Sequence, residues 1–396
     1  MKTKIIIIIE RADVNLGGAE LSVFEMADAI SKTGIEVDIL AAHGCRDTKN
    51  IHILYDDNHS KRTNYFTFAK AIKRYLSENR YSLVHSVLPL HFADIYQPRG
   101  GTYAETILRN AESFQNKSIV FYKKLTAFMN FRRSLLLHAE RKLCKATKKG
   151  PTIIAISKYV AEQFKRHYSV SDDRIVIVPN GIKIHSETDL SKADNLRTKI
   201  LTQLEITESD NPVFFLFIAN NFRLKGLGTL IKAMRLVAAH ETSRPGFLII
   251  VGKGDTKKYQ RLANENVSSG VNKRIIFLGP VSNIQSVLSM GDVAVLPTYY
   301  DPSSRVILEA LAANKPVITT RFNGATDLFV DNRHGKVIDS PEDVSALAEA
   351  MRYFTNTGYI QKASDAITAD NLKSQISISR VAEQLISVYK SILEKK

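Results

Sequence analysis

Cys45 and Cys144 are the two cysteines of a 396-residue chain, and neither belongs to a metal-ligand spacing. A disulfide framework is thereby excluded, and the usage fits a reducing compartment such as the cytoplasm. Long apolar runs are also lacking. The opening "MKTKIIIIIERAD" contains the apolar run Ile5 to Ile9, shorter than the roughly 7 to 15 residues of a signal-peptide core and far below the ~18 of a membrane span. Low-complexity tracts are missing too. The composition, 44% hydrophobic and 24% charged, is that of a globular protein.

Several nucleotide motifs are absent. "VGKGDTK" supplies Gly252 and Gly254 but has Lys257 where a third glycine belongs, which argues against a dinucleotide oxidoreductase. No Walker P-loop occurs. No two aspartates are spaced Asp-x-Asp, so the usual metal-binding arrangement for nucleotide-sugars is missing, and neither a metal nor a cofactor is expected.

Positive charge is abundant, with a net of +15. Between Lys117 and Lys149, ten Lys or Arg accompany a single acid, Glu140. Aromatic and aliphatic residues interleave with these cations, a pattern suited to an anionic membrane surface. A helix pair packed on a sheet, with a solvated basic face, is the alternative. Nothing resembles a nucleic-acid recognition motif.

The length suggests two domains. β-rich apolar runs at Ile5–Ile9, Val37–Ala42 and Leu83–Val87 alternate with helical periodicity at 19–33 and 66–78. A second series runs through Val213–Ala219, Phe247–Val251, Ile275–Leu278, Val293–Leu296 and Val317–Thr319, with helices near 229–239 and 304–313. Strand, helix, strand at these spacings predicts an α/β protein with two doubly wound, Rossmann-like domains whose strand ends face a central cleft. The expected boundaries are 1–183 for the first domain, with its basic segment 117–149, and 184–373 for the second. An amphipathic tail at 374–396 is free to pack on either.

Three loops attract chemistry. Gly17 and Gly18 stand at the mouth of the first helix, where backbone N–H groups suit phosphate, although a plain tight turn explains them equally. In "FIANNFRLKG", Asn221, Arg223 and Lys225 follow the first strand of the second domain, and two cations there suit a diphosphate or simply solvent. In "YYDPSSRVILEAL", Asp301 or Ser303 caps a helix, and the N–H groups of Ser303, Ser304 and Arg305 would face an anion. Glu309 lies about two turns in, on a face otherwise filled by Val306, Ile307 and Leu311, where a carboxylate suits ribose hydroxyls.

"LGGAE", "FRLKG", "FLGPV" and the D-x7-E preceding "ALAANKPVITT", in that order, resemble the retaining family-4 glycosyltransferases of the GT-B fold. The resemblance spans about Ile5 to Met351. "LPLHFADIYQPRGGTYAE", followed by the basic segment, is similar to the bacterial lipopolysaccharide core glucosyltransferases. The resemblance implies transfer of a hexose from a nucleotide-sugar, UDP-linked, to a glycan or lipid-linked acceptor, by an enzyme peripheral on the inner face of the cytoplasmic membrane. It gives Asp301 the hydroxyls of the transferred sugar, Glu309 the ribose, Arg223 and Lys225 the diphosphate, Gly17 and Gly18 the approach of the donor phosphates, and Gly279, Pro280 and Val281 the base. Arg99 stands where many relatives carry a histidine, and Asp94 just before it is a second candidate for acceptor or sugar contact. The family usually has Glu at the position of Asp301. A basic nucleic-acid- or membrane-binding protein and a non-catalytic transferase-like partner are the competing readings.

Overall fold

The computed structural model describes residues 3–44, 49–55, 63–145, 150–184, 190–240, 244–265 and 271–396. Cys45 and the end of the basic segment, 146–149, lie outside them.

The first unit comprises Met1–Ala111, Ser118–Lys183 and Ser377–Lys396. Its strands are β1 (Lys4–Ala12), β2 (Glu36–Gly44), β3 (Ile51–Ile53), β4 (Leu83–Ser86), β5 (Ile95–Tyr96), β6 (Thr152–Ala155) and β7 (Ile175–Ile177). They form one parallel sheet in the order β3-β2-β1-β4-β5-β6-β7. Ile5 to Ile8 in β1 are wholly buried. Alternate members join different clusters: Ile5 and Ile7 pack with Val23, Met26 and Ile30, whereas Ile6 and Ile8 pack with Phe68 and Ile72. A strand covered on both faces has no polar side to alternate, which is why it reads as a continuous apolar run.

The second unit comprises Glu112–Lys117 and Ile184–Ile376. Its strands are β8 (Val213–Ile218), β9 (Gly246–Val251), β10 (Ile275–Gly279), β11 (Val293–Leu296), β12 (Val317–Thr320) and β13 (Gly335–Ile338). They run parallel in the order β10-β9-β8-β11-β12-β13. Each sheet thus grows outward from its first strand in one direction and then in the other. The order reverses between β1 and β4 in the first unit and between β8 and β11 in the second.

Residues 112–117, placed by sequence reasoning in the first domain, pack with the second unit instead. Their contacts explain this. Gln115 Nε2 donates to Thr229 Oγ1 at 3.1 Å and to Tyr299 Oη at 2.9 Å. The Arg223 guanidinium lies 3.8 Å over the Phe114 ring and donates to Ser113.

The tail forms a helix at Ile378–Leu393 that packs in the first unit on the helix Gly18–Ser31. Val381, Ala382, Leu385 and Tyr389 are buried there. The Tyr389 hydroxyl meets His85 Nδ1 at 2.7 Å beneath the sheet's centre. Arg380 donates to the carbonyls of Pro179 and Asn180.

Two buried acids fix the helices around β5 and β6. Glu140, the one acid of the basic segment, points inward and accepts from Tyr96 Oη at 2.7 Å, the Tyr103 N–H at 2.8 Å and Tyr168 Oη at 2.5 Å. Burial pushes its carboxyl up to about 7, against the pull of those donors. Glu105 accepts from Arg109, Tyr159 and Arg166 and pairs with His167; these partners outweigh burial and hold its carboxyl down at about 2.

Leu385→Ala removes a fully buried side chain from the tail helix. Chemical denaturation should show a loss of about 2–5 kcal/mol; a loss within experimental error would mean that the tail is dispensable for the first unit.

Candidate functional site

Where the strand order of a doubly wound sheet reverses, the loops on the two sides leave a crevice at the carboxyl ends of the strands. In the second unit those loops are Ala219–Gly226, after β8, and Pro297–Ser304, after β11. They are stitched together: the Tyr299 N–H and the Thr298 hydroxyl both donate to the Leu224 carbonyl, at 2.9 and 3.2 Å. Gly226 makes the close approach possible. It has φ +80°, and a Cβ there would collide with the Pro297 carbonyl.

Lys225 Nζ lies 2.6 Å from Asp301 Oδ2 and 3.2 Å from the Tyr300 carbonyl. The pair is largely withdrawn from solvent, with side-chain exposures of 20% and 14%. The structure therefore brings together two residues that the sequence separates by 76 positions. Asn221 is a turn-former here: its side-chain oxygen accepts from the Leu224 N–H at 3.2 Å.

Arg223 sits in the same loop but turns to residues 112–117, as described above. Burial holds its guanidinium below the usual range. Phe114 and Ser113 are thus partners of a candidate diphosphate cation that sequence reasoning did not assign.

The helix Arg305–Ala312 begins one residue later than a cap at Ser303 requires; its N-cap is Ser304. The expectation that the N–H groups of Ser303 and Ser304 face an anion is corrected. The Ser303 N–H donates to Asp301 Oδ1 at 3.2 Å, and the Ser304 N–H donates to Asn323 Oδ1 at 3.1 Å. Arg305 reaches forward instead, pairing with Glu309 at 3.3 Å one turn on. The carboxylate on an otherwise apolar face therefore has a cation beside it.

Asn323 is the residue that sequence reasoning missed. It is wholly buried, accepts from Ser304 and Ala325, and donates to Thr319 Oγ1 at 3.0 Å. The backbone of Asp301 bridges the same segment, bonding the Phe322 carbonyl and the Gly324 N–H. Asn323 thus fixes the loop that carries Asp301. Its signal was the Asn-Gly pair three residues beyond the end of an apolar strand.

Gly279 ends β10 with φ +73°, and its carbonyl accepts from the Gly252 N–H at 2.9 Å. Pro280 and Val281 follow at the same carboxyl edge, three strands from β11.

In the first unit, Gly17 and Gly18 stand at the mouth of the helix Gly18–Ser31, which has no side-chain cap. Arg99, in the loop after β5, donates to Ser22 in that helix and to Asn180 Oδ1 at 2.5 Å. Asp94 lies elsewhere, and its assignment as an acceptor or sugar contact is corrected. It precedes β5 at the amino edge of the sheet, where it accepts from the Val84 N–H at 2.7 Å and pairs with Lys396 at 2.6 Å. The chain from 87 to 94 runs back along the sheet before β5 starts, so closeness in sequence to Arg99 is lost in space.

The basic segment forms the helices Lys117–Leu125 and Phe131–Lys145. The second is anchored by Leu136, Leu137, Leu143 and Cys144, whereas the first buries none of its side chains. Phe121, Leu125, Met129 and Phe131 are 62–80% exposed. Among the described residues, no helix is long and apolar enough to cross a membrane, and no cluster of His, Cys, Asp and Glu is arranged to hold a metal.

The chain is similar to known glycosyltransferases. Residues 16–186 match the family model Glycosyltransferase Family 4, and residues 212–356 match Glycosyl transferases group 1. An uncharacterized glycosyltransferase of Methanocaldococcus jannaschii is 25% identical over 66% of this chain and 65% of its own length. The chain thus spans just under two thirds of that relative. The Escherichia coli lipopolysaccharide glucosyltransferase WaaG is 25% identical over 74% of this chain and 73% of its own. A crystal structure of WaaG superimposes with a TM-score of 0.74 at 19% identity, covering 97% of this chain and 99% of that one. Anabaena HepE in complex with UDP-glucose superimposes with a TM-score of 0.69 at 15% identity, covering 98% and 99%.

Asn323→Ala strips the acceptor from two buried N–H groups. Denaturation should report a loss of about 2–4 kcal/mol, and a stability within ~0.5 kcal/mol of the parent would show that the loop stands without it.

Proposed function

Because the chain belongs to the glycosyltransferases that join a family 4 domain to a group 1 domain in the GT-B fold, we propose that it transfers a hexosyl group, glucose foremost, from a UDP-linked donor to a glycan or lipid-linked acceptor, with retention of anomeric configuration. The observation that carries this reading is the Lys225 ammonium placed 2.6 Å from Asp301 at the strand-order reversal. Two likenesses support the donor and the setting. WaaG is named a lipopolysaccharide glucosyltransferase, and the HepE structure holds UDP-glucose. Lipopolysaccharide or surface polysaccharide synthesis is the corresponding role.

In this reading the bond between the anomeric carbon and the diphosphate oxygen breaks, and its electron pair leaves with the diphosphate. The acceptor oxygen bonds to the same face of that carbon, and its proton passes to the departing phosphate oxygen. No side chain bonds to the sugar. Positive charge builds on the anomeric carbon and negative charge on the leaving group, so an ammonium already in place lowers the barrier. Lys225 exchanges Asp301 for the diphosphate, and Asp301 is released to the sugar hydroxyls. Glu309 takes the ribose, and Gly279 to Val281 take the base. Lys225→Ala should reduce turnover of UDP-glucose about 100-fold or more, measured as sugar transfer or as slow donor hydrolysis. Unchanged turnover would remove Lys225 from the diphosphate. A nucleic-acid-binding protein or a non-catalytic partner would turn over no donor at all.

Peripheral attachment to the cytoplasmic face of an anionic membrane belongs to the same proposal. The nine-residue helix Lys117–Leu125 has no fully buried side chain, so its apolar side chains keep most of their surface available to an interface. Exposed Phe121 and Leu125 beside Lys123 and Lys124 suit an interface of lipid and phosphate. The protein should float with phosphatidylglycerol vesicles at low salt and not with neutral ones; no flotation with either sinks the attachment.

A further inference from the structure

A cavity in the first unit is lined by none of the residues assigned to the donor. Parallel neighbours in a sheet are ordinarily joined by a crossover of a dozen or more residues, usually containing a helix. Between β4 and β5 the chain has only residues 87–94, without a helix. The face that a crossover helix would cover is left as a groove between the helices Tyr65–Glu78 and Phe131–Lys145, with a volume of about 390 Å³. That is within the range of small-molecule sites.

Its lining is chemically one-sided. Lys70 and Lys73 come from the first helix, His91 from the short connection, and His138 and Lys142 from the second helix. No lining residue is acidic. None of the five makes an ion pair among the described residues, whereas Lys4, Arg109 and Arg132 elsewhere in the unit each hold a carboxylate. The rest of the lining is apolar or aromatic, with Phe66, Phe92 and Leu135 on the walls. Lys73 Nζ lies 5.0 Å from the centre of the Phe92 ring, and Tyr65 Oη is tied to the Pro89 carbonyl at 2.8 Å. Burial, together with the charges of Lys73 and Lys142, holds the His91 imidazole below its usual range. Cations gathered in a concave site without a counter-charge repel one another, and an anion reverses the sign of that interaction.

We propose that this groove binds a phosphate-bearing sugar, with the phosphate between Lys73 and Lys142 and the ring against Phe66 and Phe92. Concavity and aromatic walls favour a compact ligand over a flat bilayer, and the unpaired cations favour an anionic one. That this sugar is the acceptor rests on the transfer reading above; the binding does not.

Calorimetric titration at low salt tests it with glucose 6-phosphate, glucose and phosphatidylglycerol vesicles as separate probes. Glucose 6-phosphate should bind roughly tenfold or more tightly than glucose, and Lys73→Glu with Lys142→Glu should remove that advantage. Both lysines are exposed, so the thermal midpoint should be retained, and Lys73→Ala with Lys142→Ala gives the same test without reversed charge. Lys225→Ala should leave the binding intact, which separates this groove from the donor site. The proposal is overturned if the phosphate confers no advantage, if the reversal leaves it unchanged, if Lys225→Ala abolishes it, or if the reversal removes vesicle binding alone.

Discussion

Lys225 and Asp301 meet because the strand order of their sheet reverses between β8 and β11, and the loops that carry them flank that place. Everything around the pair serves this meeting. Gly226 lets the first loop turn beside Pro297, Thr298 and Tyr299 lock it to Leu224, and Asn323 holds the second loop from below. A salt bridge withdrawn from water is costly to break on one side, since the remaining charge loses both solvent and partner. In the proposed transfer, an incoming diphosphate would offset that cost for Lys225 by taking the place of the carboxylate.

What could be read from the sequence follows from how each feature is made. β1, β8 and β9 are buried on both faces, and their unbroken apolar runs announce them. β3, β6, β7 and β13 have three or four residues each, which leaves little room for a pattern to develop, and all four escaped. Asp301, Lys225 and Glu309 stood out because they interrupt local patterns. Asn323 did not, because its value lies in partners from another segment. Asp94 misled for the complementary reason: the chain between it and β4 returns to the amino edge of the sheet, and strand direction is not visible in the letters. Residues 112–117 were assigned to the wrong unit because a helix end and a turn look the same wherever they dock.

The charge of the protein is also organised by burial. Glu105 and Glu140 are wholly inside, each held by several donors, and they fix the elements beside β5 and β6. Glu105 offsets Arg109 and Arg166, and neither acid lies in the lining of the groove that lacks a crossover helix, which holds no carboxylate.

The partition of the chain has a further consequence. The first unit is assembled from three pieces, the last of them Ser377–Lys396, whereas nearly all of the second lies in the continuous stretch Ile184–Ile376. On a ribosome, chain length reverses the order of completion: Ile184–Ile376 emerges, and domains fold as units as they emerge, before the helix that covers the Gly18–Ser31 face exists. Until that helix arrives, Val23, Met26 and Ile30 lack their tail partners. The first half to be synthesised is thus the last to be closed.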